Sequence, residues 1–323
     1  MKKITLYIIA LFASLAACGM ALAGPSSIQF PPATWYQPAE RFPAVKAAGV
    51  KTIVGYAATV DLDAWCAGLR ANGLTAWCQY TAQTAAYFAA HPENAKLLLG
   101  WIAIPDEPNG GGNTPPGAMA DEVRSIHAAF PGSKVLVNLD GRPLRYPALS
   151  NITLWAACGA DVLAFDFYPI NCNDSLDTTV PKIGEILDAL RAAAPGVPIL
   201  VCLEDCDQDL KASDWGKAVT AAGNVMRGPS LLEVVNESSL AVAHGAAGVV
   251  WFEQVIGSGW ESFYDPSKFA PGVIAAMHQI NTGLMPSSLP ILTPTIPTTQ
   301  PTDPLDGTDA TIGGRRYTLH GKP

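Results

Sequence analysis

Eight short apolar runs recur between residues 27 and 285, most of them separated by helical patterns, and this rhythm limits the fold more than any other feature. The runs are Ser27–Gln37, Val50–Tyr56, Leu74–Tyr80, Leu97–Ile104, Lys134–Leu139, Asp161–Phe167, Pro198–Leu203 and Ala247–Phe252. Most are nearly continuous in apolar residues, as strands buried on both faces must be. The first is the weakest, because Pro31 and Pro32 interrupt it. Between strands, Met119, Val123, Ile126 and Phe130 recur at spacings of three and four, as do Ile183, Ile186, Leu187 and Leu190. Val273, Met277 and Ile280 mark a last helix. Gly49, Gly73, Gly132, Gly159 and Gly196 precede strands, as helix-ending residues do in αβ connections. Strand and helix alternating over this length predict an α/β fold, a single-domain (β/α)8 TIM barrel. A doubly wound open sheet is the alternative. It needs fewer strands and usually a phosphate-binding turn after the first, and no such turn follows here.

The ends of the chain read differently. Lys2-Lys3 followed by the apolar stretch Ile4–Ala17 predicts a signal segment over residues 1–23, too short for a committed membrane span. Two cleavage sites compete: Ala21-Leu22-Ala23 before Gly24, and Leu15-Ala16-Ala17-Cys18, which resembles a lipobox that would anchor the protein to a membrane through a lipid on Cys18. Either predicts an exported protein: periplasmic, extracellular or an outer-membrane lipoprotein. The barrel is expected over 24–285. Residues 286–323 begin rich in Pro and Thr and continue polar, so a linker and disordered tail are expected.

Composition narrows the chemistry. Apolar residues make up 49 % and charged residues 15 %, with a net charge of −8. Nucleic acid as a partner is therefore not expected, since its binding needs a basic face. The histidines lack ligand spacing and no CxxC pair occurs, so neither a metal nor a cofactor is expected. Export makes Cys66, Cys78, Cys158, Cys172, Cys202 and Cys206 candidates for disulfides. Cys172 and Cys206 follow neighbouring strands and form the one specific pairing, while Cys202 inside a strand suits a buried thiol.

In a barrel the C-terminal ends of the strands converge on one mouth, and that is where the chemistry sits. The run LLLGWIAIPDEPN, residues 97–109, ends abruptly at Asp106 and Glu107, with Pro108 stopping the strand. The other strand ends supply Trp35, Tyr36 and Gln37, then Tyr56, Gln79 and Tyr80. Asn138 and Asp140 follow, then Asp166 and Tyr168, Glu204 and Asp205, and Trp251, Glu253 and Gln254. This rim is acidic, aromatic and amide-rich, with Arg142 almost its only cation. It suits a carbohydrate, whose apolar faces stack on Trp and Tyr and whose hydroxyls bond amides and carboxylates. It does not suit phosphates, which call for Arg or Lys. Glycoside hydrolysis needs one protonated and one ionised carboxyl. Glu107 and Glu204, at the ends of strands four and seven, form the obvious pair, with Glu253 the rival to Glu204 and Asp166 and Asp140 behind it.

These motifs resemble those of the clan A glycoside hydrolases, retaining enzymes on (β/α)8 barrels. WIAIPDEPN is similar to the clan's strand-four pattern at Glu107, ILVCLED to its strand-seven pattern at Glu204, FDFYP to its strand-six pattern at Tyr168, and VVWFEQ to its strand-eight pattern at Trp251. The resemblance implies that Glu107 is the acid/base and Glu204 the nucleophile. It implies that Tyr168 supports Glu204 and that Trp251 lines the sugar site, while the strand ends add Asp106, Trp35, Asn138 and Glu253 as further expected substrate contacts. The clan's Asn before the acid/base is Asp106 here, a second negative charge beside Glu107 that favours its protonated form. The expectation is an exported glycosidase that works as a monomer on an oligo- or polysaccharide. The alternative is a carbohydrate-binding or cell-envelope barrel without turnover.

Overall fold

The eight strands close on themselves in sequence order, every neighbouring pair parallel. They are β1 (Ala33–Trp35), β2 (Thr52–Val54), β3 (Thr75–Gln79), β4 (Leu98–Ile102), β5 (Lys134–Asp140), β6 (Val162–Asp166), β7 (Ile199–Glu204) and β8 (Gly248–Phe252). The connecting helices are α1 (Phe42–Ala47), α2 (Leu62–Asn72), α3 (Ala82–Ala90), α4 (Pro116–Ala129), α5 (Ile152–Ala156), α6 (Lys182–Ala193), α7 (Leu231–Ala243) and α8 (Val273–Gln279). This is the (β/α)8 barrel expected from the strand rhythm. The computed structural model describes residues 30–55, 61–110, 114–144, 151–172, 180–207, 227–252, 269–284, 311–312 and 315–316. The expected signal segment, Cys18, Tyr56, Glu253 and Gln254 lie outside the described residues. Within the expected tail, Thr311–Ile312 pairs antiparallel with Arg315–Arg316. Among the described residues no helix is long and apolar enough to cross a membrane.

Alternation along each strand divides the core in two. Trp35, Val54, Trp77, Ile102, Leu136, Val162, Ala164, Leu200, Cys202 and Val250 fill the barrel interior. Ile53, Trp101, Val135, Val137, Leu163, Phe165, Val201, Leu203, Val249 and Trp251 pack against the helices. Both faces are apolar, which is why the strands read as unbroken hydrophobic runs. Gly100 of β4 is required by close packing: a Cβ there would lie 2.3 Å from the Lys134 carbonyl oxygen and 2.5 Å from the Trp77 ring. That space lets the indole of Trp77, 1 % exposed, occupy the interior, a burial that stabilises by roughly 2–3 kcal/mol.

The helices start where side chains can cap them. Asp61 accepts from the amides of Asp63 and Ala64 at the head of α2. Thr81 with Thr84 on α3, and Ser230 with Glu233 on α7, form reciprocal capping boxes. After α2 the chain turns back at Gly73, φ +66°, a conformation glycine adopts without strain.

Candidate active site

Strand β4 ends at Ile102, two residues sooner than the apolar run suggests, so Asp106 and Glu107 stand on the loop above it. The loop is fastened to β5. Asn109 donates from Nδ2 to the Asp140 carbonyl at 2.8 Å and accepts the Asp140 amide on Oδ1 at 2.7 Å. Glu107 itself has φ +47°, the left-handed region that L side chains other than Asn and Asp rarely enter. Asp106 Oδ1 accepts from Asn138 Nδ2 at 3.0 Å and from the Glu107 amide at 3.2 Å.

Beneath this loop a relay crosses the barrel. The Trp35 indole N–H donates to Cys202 Sγ at 3.3 Å, and the Cys202 thiol donates to Asn138 Oδ1 at 3.8 Å. Asn138 in turn holds Asp106. Residues of β1, β7 and β5 thus fix the carboxyl that follows β4. Asn138 and Trp35, both 1 % exposed, are the floor of the site rather than its wall. Cys66, Cys78, Cys158 and Cys202 are buried free thiols. The side chain of Cys172 lies outside the described residues, and with it the expected pairing to Cys206.

Four carboxyls gather at the mouth: Asp106, Glu107, Asp140 and Asp166. Asp140 is taken up by Arg142, whose Nε and terminal nitrogen reach its two oxygens at 3.0 and 2.9 Å. Burial raises the Glu107 carboxyl above its usual range. The Asp140 and Asp106 charges push the same way, while a hydrogen bond with Asp166 and the Arg142 charge pull it down. Asp106, exposed at the loop, is raised by desolvation among these neighbours, against the hydrogen bonds from Asn138 and the Glu107 amide that pull it down. Asp166, 7 % exposed, is held well above the carboxylate range, first by burial and then by the charges of Asp106 and Glu107. Tyr36 closes the site from β1. Its hydroxyl accepts from Gln79 Nε2, and burial and the Asp106 and Asp166 charges hold it neutral. Tyr168 stacks on Phe252 at 4.7 Å and 23°. Its buried hydroxyl has no hydrogen-bond partner.

Two residues expected at the mouth have other surroundings. Trp251 packs in the helix layer, its indole N–H donating to Asn281 Oδ1 at 2.9 Å, while its neighbour Phe252 faces Tyr168. Glu204 is wholly buried at the end of β7. Its Oε1 accepts the Ile170 amide, and its carboxyl adjoins Glu237 of α7. The charges of Asp140, Asp106 and Arg142 and a hydrogen bond with Asp166 are among the influences on the Glu107 carboxyl. Phe252 carried no weight in the sequence, where an unbroken apolar strand does not show which residues turn inward. Among the described residues no three His, Cys, Asp or Glu side chains converge to hold a metal ion.

No family model and no curated protein matches this chain. Solved structures do. An exo-beta-1,4-mannosidase from Opitutaceae bacterium strain TAV5 is 13% identical, with a TM-score of 0.50, over 83% of this chain and 64% of that one. An endo-1,4-beta-D-mannanase from Thermotoga petrophila is 11% identical (TM-score 0.48, 78% of this chain and 98% of that one). A beta-1,3-glucanosyltransferase from Rhizomucor miehei, solved as an active-site mutant with laminaritriose, is 13% identical (TM-score 0.48, 76% and 93%). What the likeness to the mannosidase shows is the fold alone, a (β/α)8 barrel.

Proposed function

We propose that this protein is an exported glycosidase that works as a monomer, with Glu107 protonating the leaving oxygen of a bound sugar. The observation that carries the reading is the state of Glu107. It is half-buried among other carboxyls and shifted toward its protonated form, as a general acid must be near neutral pH. Around it, the Tyr168–Phe252 pair offers a stacking face, and Asp106, which Asn138 holds from below, offers a hydroxyl partner. The resemblance to clan A supplies the rest of the route. Glu204 attacks the anomeric carbon and the leaving group departs with the Glu107 proton. Glu107 then takes a proton from water as that water releases the sugar from Glu204 with net retention. No cofactor enters this route, and a lipid on Cys18 would keep the enzyme at a membrane.

One observation favours a second reading, carbohydrate binding without turnover. Glu204 is wholly buried, its carboxyl engaged by the Ile170 amide and adjoining Glu237, whereas a nucleophile must stand open to the sugar. A glycan-panel assay of the mature chain separates the two, starting with β-1,4-mannan and β-1,3-glucan oligosaccharides. The glycosidase reading expects hydrolysis that falls at least ~100-fold in Glu107→Gln. Glycan binding without hydrolysis by the unaltered chain would refute it and favour the second reading.

A further inference from the structure

A line of polar side chains crosses the apolar interior of the barrel and leads up to Glu107. It starts at Trp35 on β1, passes through Cys202 on β7 and Asn138 on β5, and ends at Asp106 above β4. Two of its bonds skip a strand, since β8 stands between β1 and β7, and β6 between β7 and β5. The side chains around it, among them Ile102, Leu136, Ala164 and Val250, have no hydrogen bond to offer. Chemistry gives the line a direction. An indole N–H can only donate, so Cys202 Sγ accepts at 3.3 Å. The thiol then has one proton to give, and Asn138 Oδ1 takes it at 3.8 Å. Burial, with the charge of Asp166, keeps that proton on the sulfur. With its oxygen so engaged, Asn138 presents Nδ2 to Asp106 Oδ1 at 3.0 Å. The same Asp106 oxygen accepts the amide of Glu107, whose φ is +47°. Turned over, Asn138 would set its own oxygen against an oxygen that already serves as acceptor.

We propose that Cys202 is a positioning residue of this mouth: its thiol fixes which way the Asn138 amide turns, and through Asn138 it places Asp106 and the backbone of Glu107. The order of the bonds stands on the geometry, while the consequence for turnover rests on the glycosidase reading. Cys202 is wholly buried beneath the mouth and touches no sugar. It acts because sulfur at this point both accepts and donates. A side chain of similar size without that polarity would leave the Trp35 N–H and Asn138 Oδ1 without partners at once. Asn138 would then be free to turn over, and Asp106 would lose its donor from below. The loop after β4 would keep its other fastening, the Asn109 pair to Asp140, but not the one that reaches Glu107. Asp166 is a second acceptor near the thiol. A thiol that served Asp166 alone would leave the Asn138 amide unguided, and the two arrangements answer differently to substitution.

The test compares Cys202→Val, which fills the space without polarity, with Cys202→Ser, which keeps a donor and an acceptor. Proton–nitrogen NMR of the full chain reads the Trp35 indole and the Asn138 side-chain amide, identified by their loss in Trp35→Phe and Asn138→Leu. Cys202→Val should shift both signals, and Cys202→Ser should leave both near their wild-type positions. Trp35→Phe should move the Asn138 amide signal from two bonds away, across the barrel. Should Cys202→Val fail to fold, Cys202→Ser and Trp35→Phe decide. An Asn138 signal that ignores both Cys202→Val and Trp35→Phe overturns the proposal, as does a serine variant that behaves like the valine one. On any glycoside the wild type cleaves, Cys202→Val should lower kcat about tenfold with little change in KM, and Cys202→Ser should recover most of it. A shifted Asn138 signal with kcat unchanged would overturn the positioning role. The same NMR responses in a chain that cleaves no glycoside would support the line of bonds and remove the glycosidase reading alone.

Discussion

Replacing Trp251 by Phe tests whether this residue is a clamp in the helix layer or a platform for sugar. Its indole is wholly buried and donates to Asn281 Oδ1 at 2.9 Å, and Asn281, 1 % exposed, donates from Nδ2 to the Ala48 carbonyl at 2.8 Å. The bond thus joins the eighth strand to the segment after α8 and, through it, to the end of α1. Phe removes the donor and strands a buried amide oxygen, at roughly 1–3 kcal/mol. The smaller ring leaves a void of roughly 40 Å³, worth about 1 kcal/mol more. The expected loss is about 2–4 kcal/mol, which in a domain of this size lowers Tm by about 5–15 °C. Because the same bond is removed from either end, Trp251→Phe combined with Asn281→Leu should cost less than the sum of the two. The assay is calorimetry of both singles and the double, alongside glycan affinity. An unchanged Tm with a tenfold loss of affinity would refute the helix-layer argument and restore Trp251 to the sugar site.

Two further outcomes follow from the same packing and burial. Gly100→Ala forces a Cβ against the Lys134 carbonyl and the Trp77 ring, so denaturant unfolding should show a loss of about 3 kcal/mol; a variant as stable as wild type would contradict the tight β4–β5 contact. Glu237, buried beside Glu204 and Glu233, is held well above its ordinary range. Its folded-state pKa exceeds the unfolded one, so it favours the folded chain below about pH 4 and progressively opposes it as pH rises toward the raised value. Glu237→Gln should therefore raise Tm relative to wild type at pH 8 and change it little near pH 4, and a difference independent of pH would contradict the assignment.

The barrel was legible because a fully buried parallel strand leaves a simple trace, an apolar run of fixed length, and eight of them in order admit few topologies. The same property hides which residues face the mouth. In Gly248–Phe252 both faces are apolar, so nothing local marks Phe252 as inward and Trp251 as outward. Where polar residues punctuate a strand, more is legible: Asn138 within β5 and Asp166 at the end of β6 stand out against their apolar neighbours, and Asn138 holds the Asp106 carboxyl. Glu204 shows the opposite limit. It ends its strand as the resemblance requires, but the amide it accepts and the carboxyl beside it come from Ile170 and Glu237. Those neighbours are set by how the segments above the barrel fold back, and strand patterning carries no trace of it.

The left-handed backbone at Glu107 places two demands on one position. A side chain there costs roughly 1–3 kcal/mol relative to a residue at ease in that region. Glycine would relax the loop, and asparagine would do so in part. Any drift toward stability therefore runs through loss of the carboxyl. On the proposed role of Glu107, selection for a sturdier barrel and selection for proton transfer would pull in opposite directions at this one residue, and a stabilised variant that has lost function is the outcome to look for here first.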